Sequence, residues 1–431
     1  FIYEGFDVDP AAGTITSRYS LDGRGFQEVV SLPAELNWRA PRLESAARVL
    51  FLLSGVSYYK TAAPPVIDLG STPVGPDDVA FLREFYLEGL GEFSYVNDLN
   101  LDDLQIVGGV PAEPEPAPEP GRPERALIPF GGGIDSVVVV EETKRRVPDS
   151  SLFIVGRYEP IEASAAVTGL PILRASRQID PQVLKSRENG FLNGHVPVTG
   201  ILSAIAVVAA VLDGRTSVVM SNEWSSSSPT VEVDGRAINH QYSKSYRFEA
   251  GFRHLLESAV PGVRYFSALR PYSELWVAER FAALPQYHRV FRSCNRAFHV
   301  DPARRATGWC GECDKCAFID LILSPFMSAA ELRDVFGGRE PLDKPELADQ
   351  FRALIGDPEL LKPFECVGDV GECRTAVLMA AERDDRAGNP LLDVLRAEVL
   401  KTGEAPSADS LMHRLGSHFI EAPYASDDLL V

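Results

Sequence analysis

Ile128-Pro129-Phe130-Gly131-Gly132-Gly133-Ile134-Asp135-Ser136 is the stretch on which the reading of this chain turns. Ala126 to Phe130 is apolar enough for a buried strand, and Ser136 to Arg146 reads as a helix. Between them, three consecutive glycines let backbone N–H groups approach an anion closely. The helix N-terminus adds further donors and the positive end of its dipole. A carboxylate at Asp135 does not attract phosphate; it suits a ligand of the Mg²⁺ that accompanies ATP. Ser136 suits a helix cap or a donor to a phosphate oxygen. A glycine turn capped by Asp and Ser would give the same string, so the weight falls on what surrounds it.

Downstream, strands and helices alternate. Leu152 to Val155 reads as a second strand and Pro160 to Thr168 as a helix that stops at Gly169-Leu170-Pro171. Ile172-Leu173 opens a third strand. Thr199 to Leu212 is a strongly apolar helix, Ser217 to Met220 a fourth strand and Arg264 to Ser267 a fifth. Such alternation predicts an α/β fold: a parallel sheet with helices on both faces. Ligands of such sheets sit beyond the carboxyl ends of the strands, where strand order reverses. Upstream, Phe1 to Val8, Thr14 to Leu21 and Phe26 to Leu32 are strand-like, and Leu43 to Leu53 is helical. Residues 1–108 thus form a strand-rich N-terminal module. Residues 109–124, with proline at nearly every second position after Val110, read as an extended linker. Residues 125–330 are the expected catalytic domain, and 331–431 a helical C-terminal region without a legible motif.

The formal net charge of -19 argues against broad binding to nucleic acid or anionic membranes. A small phosphorylated substrate needs only a local cluster of cations. No apolar run reaches the roughly 18–20 residues of a membrane span. The longest, Ile201 to Leu212, stops at Asp213-Gly214-Arg215. The start lacks the basic-then-apolar layout of a signal peptide, so a cytoplasmic enzyme is expected.

Six cysteines are too few for a disulfide scaffold. Four are clustered: Cys294, then Cys310, Cys313 and Cys316 with two residues between each. Those spacings suit a tetrahedral thiolate site, and four thiolates point to a structural rather than a catalytic Zn²⁺. Cys366 and Cys373 read as ordinary free cysteines. After the fourth strand come Ser221-Asn222-Glu223 and then Asn239-His240-Gln241-Tyr242-Ser243-Lys244, with Arg247 and Glu249 close behind. Aromatics interleaved with so many hydrogen-bonding groups mark an active-site loop rather than a solvated one.

The glycine loop resembles the PP-loop motif Ser-Gly-Gly-x-Asp-Ser of the ATP pyrophosphatases (adenine nucleotide alpha hydrolase-like fold), with Gly131 where that motif has its first serine. Glu162-Ala163 with Gly169-Leu170-Pro171, and Val196-Pro197 with Gly200 to Ala210, resemble the same superfamily. The cysteine cluster is similar to the zinc site of the deazaguanine nitrile synthases. The Asn-His-Gln-Tyr-Ser-Lys-Ser segment, the triple-glycine loop and the Cys-Gly-x-Cys-x-Lys-Cys cluster together resemble the UDP-N-acetylmuramoyl-L-alanyl-L-glutamate epimerases of the MurL type, over about Ile128 to Phe318.

That resemblance implies an isomerase of peptidoglycan-precursor synthesis that inverts the terminal L-Glu of UDP-MurNAc-L-Ala-L-Glu, using ATP and Mg²⁺. It implies adenylation of a carboxylate, deprotonation and reprotonation at Cα, and hydrolysis to AMP and pyrophosphate. Gly131, Gly132, Gly133, Asp135 and Ser136 would bind nucleotide, with Mg²⁺ on Asp135. His240, Tyr242, Lys244 and Glu223 are the catalytic candidates. Asn222, Asn239, Arg247, Arg292 and Arg296 are the substrate-binding candidates, because a substrate carrying two phosphates and two carboxylates needs local cations. The alternatives are another PP-loop adenylating enzyme (nitrile synthase, amide ligase or tRNA-modifying type) and a nucleotide-binding regulator without turnover. The acidic charge weighs against the tRNA case.

Overall fold

A computed structural model describes residues 1–118, 121–233, 235–298 and 302–425. β1 (Ile2–Asp9), β2 (Thr14–Leu21) and β3 (Arg24–Ser31) form an antiparallel meander. In β2 the side chains alternate in burial, and Ile15, Tyr19 and Leu21 face the core, as period-2 patterning requires. Short strands β4 (Val66–Asp68) and β5 (Gln105–Val107) add to β1 in parallel.

The five strands expected after the linker all form: β6 (Ala126–Pro129), β7 (Ser150–Val155), β8 (Ile172–Gln178), β9 (Ser217–Met220) and, after a small hairpin of β10 (Val231–Val233) and β11 (Arg236–Ile238), β12 (Arg264–Ser267). They pair in parallel in the order β12-β9-β6-β7-β8. The chain winds outward from β6 to β8, then crosses back to β9 on the other side of β6. The order therefore reverses at β6, and the loops after β6 and β9 open beside one another at the carboxyl edge.

Both faces are covered. Leu127, Phe153 and Val218 pack into one core, with the helices Leu43–Ser54, Val198–Asp213 and Tyr246–Ala259. Ala126, Ile128, Leu152, Ile154 and Val219 pack into another, with the helices Ile134–Arg146, Glu274–Ala282 and Asp314–Leu323. Strands buried on both faces explain their near-continuous apolar sequences. Among the described residues no helix is long and apolar enough to cross a membrane.

The N-terminal module is not a separate layer. β3 pairs antiparallel with β8 (Val29 opposite Gln178, Ser31 opposite Ser176), so all but the β10–β11 hairpin join one ten-stranded sheet. The proline-rich segment is strapped down. The Glu115 amide donates to the Ser258 carbonyl (3.0 Å), and its carboxylate accepts from the Ser45 hydroxyl (2.6 Å). Arg42 donates to the Pro116 carbonyl (2.7 Å).

Candidate active site

A cavity of about 700 Å³ lies at the reversal in strand order. Gly131, Gly133, Asp135 and Ser136 line it from the glycine loop, and Ser221, Asn222 and Lys244 from the β9 side. Gly132 has φ +74°, and a Cβ there would meet the Ile161 Cα at 3.2 Å, so only glycine fits without strain. A Cβ at Gly131 would meet nothing within 4 Å. Ser136 donates to the Gly133 carbonyl (3.1 Å), which steadies the first turn of the helix.

One carboxylate oxygen each from Asp135, Glu223 and Glu274 gathers within 4.8 Å. Glu223 and Glu274 are almost wholly buried, and Asp135 Oδ1 and Glu274 Oε2 have no hydrogen-bond partner. Burial raises the affinity of Asp135 and Glu274 for a proton, and each neighbouring carboxylate adds to it. Buried, unsatisfied and mutually repelling oxygens are a donor set that a hard divalent cation would satisfy.

A buried ion pair holds this side of the site. Arg270 and Glu249 are each 1% exposed and meet at 2.8 Å. The rest of the Arg270 fork donates to the carbonyls of Glu223 (2.9 Å) and Lys244 (2.5 Å) and to the Ser226 hydroxyl (3.0 Å). One guanidinium thus fixes two sequence-distant segments that face the cavity. Asn222 is set by Ser267, whose hydroxyl accepts from its amide and donates to its carbonyl, both at 2.7 Å.

The polar segment after β9 divides. Lys244 lines the cavity, and its Nζ lies 3.0 Å from Cys366 Sγ. Burial opposes the Lys244 charge, yet Cys366, Glu223 and Asp135 more than offset it and raise its pKa. His240 bonds Glu92 through Nδ1 and also reaches Cys366; against the effect of burial, these partners raise its pKa to about 9. Asn239 serves the turn, donating to the Ser226 carbonyl (2.9 Å) and accepting from the Gln241 amide (2.7 Å). Tyr242 points elsewhere: its hydroxyl donates to Glu84 (2.8 Å), and it is not among the cavity-lining residues.

The cations expected at the pocket separate likewise. Lys244 and Arg292 line it. Arg247 is exposed and paired with Glu84 (2.9 Å) and Glu88 (3.3 Å), and Arg296 is exposed and paired with Glu312 (3.1 Å). Two cations that the sequence reading did not single out take their place. Arg177, held by the buried Glu28, and Lys315 both line the cavity. The signal of Lys315 in the sequence is its place between two clustered cysteines, in Cys313-Asp314-Lys315-Cys316.

The four sulfurs of Cys294, Cys310, Cys313 and Cys316 lie within 4.8 Å of one another. Cys316 Sγ is 3.6 Å from Cys310 Sγ and 3.5 Å from Cys313 Sγ. A tetrahedral ion with metal–sulfur bonds of about 2.3 Å separates its sulfurs by about 3.8 Å, so this cluster could bind a metal. Cys310 N–H also donates to Cys294 Sγ (3.4 Å). The reading of Cys373 as an ordinary cysteine agrees with its full burial. Cys366 differs: it lines the cavity, brought there by the short segment Pro363 to Val367 of the helical C-terminal region.

Residues 1–268 match the family model described as the MurL N-terminal domain, and 290–410 match the MurL C-terminal domain. A protein of Xanthomonas oryzae pv. oryzae is 38% identical over 87% of this chain and 84% of its own length. One of Salinispora tropica is 38% identical over 96% of this chain and 92% of its own length. One of a Micromonospora species is 37% identical, over 99% and 96%. All three are named UDP-N-acetyl-alpha-D-muramoyl-L-alanyl-L-glutamate epimerase. With both models matched and relatives covered almost end to end, the chain belongs to the MurL family.

Proposed function

We propose that this protein inverts the terminal L-Glu of UDP-MurNAc-L-Ala-L-Glu to D-Glu at the expense of ATP, on a PP-loop-type nucleotide site. The observation that carries the reading is the single cavity lined by a glycine loop at a helix N-terminus, one member of the buried carboxylate trio, and two lysines. Its relatives' names supply the substrate class.

The chemistry gives ATP a reason to be consumed. The Cα–H of glutamate is very weakly acidic beside an ionised carboxylate, because its removal would build a dianion. Transfer of AMP to the α-carboxylate removes that charge and leaves an electron-withdrawing carbonyl. In this reading the backbone donors of Gly131 to Gly133 bind the departing pyrophosphate. Asp135, with Glu223 and Glu274, would hold Mg²⁺, which supplies charge neutralisation for the phosphates. Lys244 and Lys315 offer donors to the oxygen that gains charge when Cα loses its proton. Arg292 and Asn222 suit the orientation of substrate. Zn²⁺ in the four-cysteine cluster would keep Lys315 and the loop after Phe291 in place.

Incubation with UDP-MurNAc-L-Ala-L-Glu, ATP and Mg²⁺ tests the proposal, reading the configuration of glutamate released by acid hydrolysis together with AMP. The expected result is D-Glu with one AMP per inversion, and a loss of about 10²-fold or more for Asp135→Asn, the scale on which a charge-stabilising group is missed. Inversion without AMP, or an Asp135→Asn variant with full turnover, would refute it.

A further inference from the structure

The cysteine at 366 is in no part of the machinery described so far, and its surroundings are unlike those of a core thiol. It lines the cavity. Lys244 Nζ donates to its sulfur at 3.0 Å, and His240 bonds it as well. His240 is itself held through Nδ1 by Glu92, against which His195 also packs, its ring 4.2 Å from that of His240. The Cys366 carbonyl accepts from Lys315 Nζ, which pins the segment to the helix that follows Cys313 and carries Cys316. A thiol and a lysine thus meet at the wall of the cavity that also holds the glycine loop, and an imidazole oriented by a carboxylate, itself outside the cavity lining, bonds the thiol. Close by, the orphaned oxygen of the almost wholly buried Glu274 marks the same region as built for a charged ligand.

We infer that Cys366, as a thiolate paired with Lys244 and with the His240–Glu92 dyad, is the base that removes the glutamate Cα proton. The inference rests on the epimerase reading above. In the step, the Cα–H electron pair passes into the adjacent acyl carbonyl as an enolate, and the proton moves to sulfur, giving a thiol. A solvent-derived proton is then delivered to the opposite face of Cα, and the Cys366 thiol returns its own proton to water, so the cycle is proton-neutral. Burial works against an ionised sulfur, but Lys244, the His240 hydrogen bond and Lys315 bring the thiol down to about 6. Sulfur is thereby anionic near neutral pH without help from a further base.

The same sulfur could instead attack the activated acyl group and form a thioester, and the test separates the two roles. Wild type, Cys366→Ala and Cys366→Ser are each given UDP-MurNAc-L-Ala-L-Glu and ATP in D₂O. Pyrophosphate release, deuterium at glutamate Cα and the intact mass of the protein are recorded. The expected result is that both variants still release pyrophosphate, which also shows that they fold. Their deuterium incorporation should fall by roughly 10²–10⁴-fold, the range of a general base. No acyl adduct should appear on wild type. Deuterium incorporation at the wild-type rate in either variant, or a substrate-sized adduct on Cys366, would overturn the inference. If wild type itself releases no pyrophosphate and exchanges no hydrogen, it is the epimerase reading that fails.

Discussion

Arg270 and Glu249 show how much of the site depends on one residue. The pair is fully enclosed, and Arg270 gives its remaining donors to the backbone at Glu223 and Lys244 and to the Ser226 hydroxyl. Removing one partner of such a pair leaves the other charge buried and uncompensated, which costs about 3–5 kcal/mol. Arg270→Ala should therefore lower the denaturation midpoint sharply. Arg270→Lys should also weaken the protein, since an ammonium cannot reproduce the planar fork. Equilibrium unfolding in urea checks both, and an Arg270→Ala variant of wild-type stability would show that the pair contributes nothing. The sequence marked the Ile238–Glu249 stretch as chemically dense, but not which residues turn inward. Lys244 lies in a tight turn and faces the cavity, whereas Arg247, three residues on, starts a helix whose outer face meets Glu84 and Glu88. A change of backbone geometry between two neighbouring cations leaves no compositional trace.

Among elements, the cysteine cluster was the most legible, because metal ligands need short, fixed spacings that chance rarely supplies. Three of its sulfurs lie around the start of the helix Asp314–Leu323, and Cys294 comes from the loop after Phe291. Metal binding at such a site is folding free energy. Protein purified without added metal should carry one zinc per chain. Cys313→Ser should lose it, and chelation should lower the melting temperature. Elemental analysis with less than about a tenth of an equivalent, together with a melt unmoved by chelator, would contradict this. The glycine loop and the parallel strands were legible for similar reasons: the positive φ and close packing at Gly132, and strands buried on both faces, restrict residue type over a contiguous run. The Pro363 to Val367 segment was not. It is irregular and short, and what makes it important is its placement against Lys244, His240 and Lys315 from far away in sequence.

Across the whole molecule, the site is assembled from all three regions of the chain. The glycine loop and Lys244 come from the middle, Cys366 from the helical C-terminal region, and Glu92 from the N-terminal module, 148 residues before the histidine it binds. Sequence patterning predicts elements from local periodicity, so the first strands were legible one by one but not the β3–β8 pairing that joins them to the parallel strands. The contact between Glu92 and His240 gives that fusion a chemical consequence. The groups acting on Cys366 are Lys244 and His240 from the segment after β9, Lys315 from the helix Asp314–Leu323, Glu365 beside it, and Asp135 from the glycine loop. With the thiol at about 6 and His240 at about 9, the wild-type Cα exchange rate should rise with pH through about 6 as the sulfur ionises. Glu92→Gln removes the carboxylate that favours the charged imidazole. A neutral His240 stabilises the thiolate less, so the thiol's pKa rises and the acid limb of the exchange profile moves to higher pH. The Glu92→Gln defect should therefore be fully expressed below about pH 6 and shrink as the pH rises past the thiol's own ionisation. A residue that merely supported the fold would lower the rate at every pH by the same factor, so an unmoved limb in deuterium wash-in would sever the N-terminal module from the chemistry.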